Sequence, residues 1–254
     1  MRIEPHEVER RVVLALVLEP VAEKAGCTTR SRDVSKDLRL IDLQGAGVNV
    51  GRYFYELAER INRQREQPKL YYDLCFEALR NSTRSLGNKK FVNLGLLELL
   101  FMVVVSHLAY GGSGRKVLKN IRKVLLKSSP RDVRYKERTL ELAWNSSRKA
   151  QKKVFPKRLG GSNLLEHYQM HFREGRRLNF LTHALWCEQI LKSLPIVQKM
   201  YGVARKALRR KLIGALEVAY KEGFRQFPKP GVIADYTAVV AYLLLSEQDS
   251  DKIV

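Results

Sequence analysis

Three stretches of this chain combine residue types that chemistry uses. The first, KAGCTTRSRD (Lys24 to Asp33), sets Gly26 beside the hydroxyls of Thr28 and Thr29, with Lys24, Arg30 and Arg32 around them. Glycine lets backbone N–H groups approach a ligand, and hydroxyls and bases hold phosphate oxygens. A polar loop joining two helices has the same composition, so both readings stand. The second, GNKKFVNLG (Gly87 to Gly95), leads into an apolar run. Asn93 there reads as an N-cap, and a helix N-terminus beside Lys89 and Lys90 is also a competent anion site. The third, FPKPGVIADYTAVVAYLLL (Phe227 to Leu245), puts Asp235 in the first turn of an almost wholly apolar helix. The helix dipole favours an acid at that place. An acid facing a buried pocket would instead bind Mg²⁺ beside substrate phosphates.

His167 and His171 stand at i, i+4 with Glu174 one turn on, which has the geometry of a metal face. The Glu of an HExxH site is missing, and ordinary packing histidines are the plainer reading. His107, at the end of the apolar run, reads as a satisfied core residue. No GxGxxG, P-loop or GxSxG sequence occurs, and aromatics are not interleaved with bases as in an RNA-recognition sheet.

The elements that must position these residues are helical almost throughout. Val12, Leu16, Val17 and Val21 predict a first helix over 8–23, bent or reset at Pro20. A polar loop over 26–38 follows, then helices over 48–65 and 70–85. Gly87-Asn88 precedes an apolar helix over 93–110, which Gly111 to Gly114 ends. The run 115–127 carries Val117, Leu118, Ile121, Val124 and Leu125 on one face and bases on the other. Ser129-Pro130 reads as an N-cap with Pro at the first helical position, opening a helix to about 151. Further helices are expected near 163–174, 178–192, 194–201, 204–222 and 233–246. The prediction is an all-α fold: one domain over 1–254, about ten helices, with the 93–110 helix at its centre.

Composition bounds the class. The chain has 254 residues, 45% of them hydrophobic, enough to bury a sizeable core. Its three cysteines are widely spaced and form no CxxC pair, which fits a reducing, cytoplasmic setting. Charges interrupt the N-terminal apolar run, so a secretion signal is not expected. The 94–110 stretch is 17 residues long and contains Glu98 and His107, so a buried helix is expected there and not a membrane span. The net charge of +21 is uneven: +3 over 1–110, +13 over 111–160 and +5 over 161–254. Such a surplus implies an anionic partner or a merely solvated surface.

Taken in order, the three stretches resemble the triphosphoribosyl-dephospho-CoA synthase (CitG-like) family, which is all-α. Lys24, Gly26 and Thr28 match its KPGNVT-like motif, with Ala25 and Cys27 in place of Pro and Asn. Asn93, Leu94 and Gly95 match its NTNLG-like entry into an apolar helix. Pro230, Gly231, Ala234, Asp235, Thr237 and Ala238 match its NPGTxADLTA-like motif, with Lys229, Val232 and Tyr236 as departures. Gly160-Gly161 falls where members carry a Gly-Gly-Leu-Gly turn. The likeness covers 1–110 and 225–245 and leaves the basic middle outside it.

The resemblance implies a nucleotide-dependent transferase. In the family reaction a ribose 2′-hydroxyl of 3′-dephospho-CoA attacks C1′ of ATP's ribose and displaces adenine. It implies Mg²⁺, phosphate contacts from Lys24, Thr28 and Arg30, a positioning donor in Asn93, and Asp33 and Asp235 as base or Mg²⁺ residues. Gly26, Gly95 and Gly231 would let the backbone approach substrate. The motif departures imply an altered acceptor or a fold kept without turnover. A second reading is a non-catalytic RNA- or DNA-binding protein that grips its partner through 111–160, with Lys119, Arg122 and Lys123 as contacts.

Overall fold

A computed structural model describes residues 3–33, 39–65, 68–85, 94–145, 160–177, 194–208 and 211–247. The fold is all-α. Helices run over Pro5–Leu18 (α1), Leu40–Val48 (α2), Gly51–Gln64 (α3), Tyr72–Ser85 (α4), Leu94–Tyr110 (α5) and Gly114–Leu126 (α6). They continue over Pro130–Asn145 (α7), Leu164–Arg177 (α8), Leu194–Ala207 (α9), Leu212–Gln226 (α10) and Pro230–Glu247 (α11). A 3₁₀ turn, Glu19–Val21, follows α1.

Two helices, not one, form the centre. α5 buries every residue from Leu96 to Ser106, and α11 buries Ile233 and then Tyr236 to Leu245 without a break. A helix apolar on all sides needs neighbours on all sides. α3, α4 and α6 pack round α5, α1, α9 and α10 round α11, and the two central helices touch each other. The His107 ring nitrogen lies 2.9 Å from the Tyr242 hydroxyl across that contact. Phe54 of α3 meets Phe101 of α5 with ring centroids 4.2 Å apart.

Helix ends follow local chemistry. Pro20 cannot continue α1, and the chain tightens into the 3₁₀ turn. Ser129 and Pro130 open α7 as the sequence predicts: the Asp132 carboxylate accepts from the Ser129 N–H and hydroxyl, both at 2.8 Å. Its other oxygen accepts from the Tyr71 and Tyr72 N–H groups at 2.9 and 2.8 Å, so one buried acid ties the starts of α4 and α7 together. Gly111 and Gly112, at φ +63° and +101°, turn the chain by 104° between α5 and α6.

The sequence reading placed no helix at Leu40–Val48 and a break near 202, where α9 continues to Ala207. Val197, Met200, Tyr201 and Ala204 keep one buried face across Gly202. The expected helix over 178–192 lies outside the described residues. No single helix among the described residues is long and apolar enough to cross a membrane, although α5 and α6 taken together would be but for their bend.

Candidate functional site

The first loop folds back onto the start of the last helix. Lys24 is 3% exposed and donates to both the carboxylate and the backbone carbonyl of Glu19, itself almost buried. A buried ammonium requires such partners, because its desolvation is otherwise uncompensated. Arg32 donates to the Lys24 carbonyl at 3.2 Å. One residue on, the Tyr220 hydroxyl of α10 donates to the Ala25 carbonyl at 2.5 Å and lies 3.9 Å from the Cys27 sulfur. Gly26 then passes Pro230 at φ +76°, so close that a Cβ would fall 2.7 Å from Pro230 Cγ. The first and third motifs thus pack on each other.

Asp235 faces this junction. α11 begins at Pro230, so Asp235 lies in the second turn and not the first, and no acid occupies the first turn. The dipole explanation therefore loses its geometric basis, since that effect fades beyond the terminal turn. Burial pushes the Asp235 carboxyl well above the usual carboxylate range, the neighbouring Glu19 pushes it further, and Lys24 pulls it partly back. Burial raises Glu19 as well, against the opposing pull of Lys24. Among the described residues no donor hydrogen-bonds Asp235. The result is two neighbouring carboxylates, Glu19 ion-paired to Lys24 and Asp235 within its electrostatic reach, with a thiol raised by burial beside them at Cys27.

The other expected site residues are placed differently. Thr28 is buried in the loop. Arg30 is exposed and fastened to acids, at 3.2 Å from Glu23 and 3.7 Å from Glu217. Asp33 is exposed and does not join Asp235: its carboxylate accepts the Leu40 N–H at 3.0 Å and caps α2. Gly95 sits half-buried in the first turn of α5, and Gly231 is exposed with nothing within 4 Å of a Cβ placed on it. Asn93, Lys89 and Lys90 lie outside the described residues. Lys119, Arg122 and Lys123 are exposed on α6.

The histidine pair makes no metal face that can be described. His167 is buried, its Nδ1 lies 2.7 Å from the Gly160 carbonyl, and burial pushes its pKa down to about 4. The side chains of His171 and Glu174 lie outside the described residues. Among those residues, no group of three or more His, Cys, Asp or Glu side chains is arranged to hold a metal. His107 has its expected partner in the Tyr242 hydroxyl but is only half-buried, at the rim of the core, and burial lowers it to about 4.

Sequence reasoning missed Glu19 and Tyr220. An acid at a helix end before Pro, and a tyrosine inside an amphipathic helix, are unremarkable as sequence. It also missed a second buried charge cluster. Glu98, at the heart of α5, accepts from Tyr72 of α4 and Lys136 of α7, all three wholly buried. Burial lifts Glu98 to about 7 despite Lys136. A cavity of about 910 Å³ lies apart from both clusters, where Arg65, His107, Gly111 and Ser246 bring the C-terminal ends of α3, α5 and α11 together.

Compared with protein-family models, curated proteins and solved structures, the chain matches none.

Proposed function

We propose that the chain is a nucleotide-using transferase of the kind its motifs resemble, converting ATP and 3′-dephospho-CoA into triphosphoribosyl-dephospho-CoA and adenine. One observation carries the reading: Lys24 and Gly26 of the first motif meet Pro230 and Asp235 of the last around a sheltered carboxylate pair. Fold alone would not support an activity, because one fold hosts many.

The chemistry asks for little beyond this cluster. The acceptor 2′-hydroxyl oxygen forms a bond to C1′ of ATP's ribose as the bond from C1′ to the adenine nitrogen breaks. The bonding pair leaves with adenine. The hydroxyl proton passes to the Glu19–Asp235 pair, where burial, and for Asp235 the neighbouring Glu19 as well, readies a carboxylate to hold a proton, and then to the departing base. Lys24 pulls both carboxyls partly back toward their ordinary range. A Mg²⁺ arriving on the triphosphate suits this donor set, since Mg²⁺ is commonly held by one or two carboxylates plus substrate phosphates. Asp235, free of hydrogen bonds among the described residues, would hold it, leaving Glu19 to carry the proton, and the ion would supply neutralisation of phosphate charge.

The test is direct. Purified protein incubated with ATP, Mg²⁺ and 3′-dephospho-CoA is expected to release adenine in step with product. Absence of adenine, together with no thermal stabilisation by either nucleotide, overturns the reading.

A further inference from the structure

The bases of α6 are gathered on its outward face. Val117, Leu118, Ile121, Val124 and Leu125 face the core and are buried, while Arg115, Lys116, Lys119, Arg122 and Lys123 project outward and are exposed. Several surface bases elsewhere are tied to acids, Arg63 to Glu59 and Arg205 to Glu247 among them. Among the described residues, none of the five α6 bases lies within ion-pair distance of a carboxylate. The chain has no acid from Gly111 to Arg131, and the next, Asp132, is buried and holds helix starts. Lys123 has an aromatic partner: its ammonium stands 4.2 Å from the centre of the half-buried Tyr110 ring.

We propose that the outward face of α6 is a binding surface for the phosphate backbone of nucleic acid, beyond any transferase activity. Five cations over eight residue steps span about 12 Å at 1.5 Å per residue. A duplex strand presents a phosphate about every 3.4 Å, so the face meets roughly three or four phosphates in a row. Contacts of this kind give affinity and register without reading bases. The burial of the apolar face argues for nucleic acid over an anionic membrane. A surface-lying membrane helix inserts its apolar side into lipid, and here that side is already used by the core.

Full-length protein is titrated into labelled 20-mers of single-stranded RNA, duplex RNA and duplex DNA between 50 and 200 mM KCl. The three arms identify the form of nucleic acid preferred. The expected logarithmic salt slope on a duplex is about −2.7 to −3.6, from roughly 0.9 per phosphate, and shallower on a single strand. Lys119→Glu, Arg122→Glu and Lys123→Glu together should weaken binding at least tenfold and flatten the slope. A matched reversal at Arg63, Lys199 and Arg225, with the same change in net charge, should lose much less. Equal loss in both triple variants, or none in the α6 variant, overturns the proposal, as does binding to phosphatidylserine vesicles but to none of the three oligonucleotides. If the reversed α6 helix fails to fold by circular dichroism, Gln at the same three positions gives the same comparison.

Discussion

Gly26 lies against the ring of Pro230, with no room between them for a Cβ and with a backbone conformation that L side chains rarely adopt. Two residues from opposite ends of the chain thereby fix where the first loop crosses the start of α11. Gly26→Ala meets both obstacles and is expected to destabilise by about 2–4 kcal/mol, from left-handed backbone strain plus overpacking. Gly231, the second residue of α11 and with open space above it, is the control. Its replacement by Ala should change stability by less than about 1 kcal/mol, on the favourable side for a helical glycine. Thermal melts of the two variants separate the cases.

Asp132 joins α4 to α7 through hydrogen bonds from Tyr71, Tyr72 and Ser129. Asp132→Ala leaves buried N–H groups without acceptors and should cost about 3–5 kcal/mol. Asn keeps one acceptor oxygen and should recover part of that. Urea unfolding midpoints with an unchanged m value would report the difference as stability. A loss below about 1 kcal/mol in the Ala variant would contradict the role assigned to this acid.

Glu98 gives the fold a pH dependence of known sign. Its carboxyl is raised from 4.5 to about 7 by burial, so between those values the native state holds a proton that the unfolded state has released. Stability is therefore greatest below pH 4.5 as far as this group is concerned, and falls as pH rises to about 7. The full effect is on the order of 3 kcal/mol. Glu98→Gln removes the titration, so the difference in unfolding free energy between variant and wild type should change by that order from pH 4.5 to 7.5. A constant difference across that range would show that Glu98 is already ionised throughout.

Much of this architecture is legible in the residues, for identifiable reasons. The Ser129-Pro130 start of α7, the α6 stripe and the greasy α5 all follow from local signals: a cap, a 3.6-residue period, a run without breakers. α2 is not legible, because LIDLQGAGV carries two glycines and little amphipathic contrast, and its start is held in part by Asp33, which accepts the Leu40 N–H from outside the helix. The second central helix was readable as apolar, but its pairing with α5 through His107 and Tyr242 is a tertiary relation. At the site, Lys24, Gly26 and Asp235 stand out in the sequence, whereas Glu19 becomes important only through its contact with Lys24 across the 3₁₀ turn. Asp33 carries the same chemistry as Asp235 but faces solvent, a distinction that spacing cannot supply.

The most direct test of the central claim compares single-turnover adenine release from ATP by wild type, Asp235→Asn, Glu19→Gln and Asp33→Asn, each with Mg²⁺ and 3′-dephospho-CoA. If the first loop and last helix form one proton-handling site, Asp235→Asn and Glu19→Gln should each fall by a factor of about 10² or more, the usual scale of acid–base catalysis. Asp33→Asn should stay within about threefold, because a helix cap survives the replacement. Full activity in Asp235→Asn, or a loss in Asp33→Asn as large as in Asp235→Asn, would contradict the account.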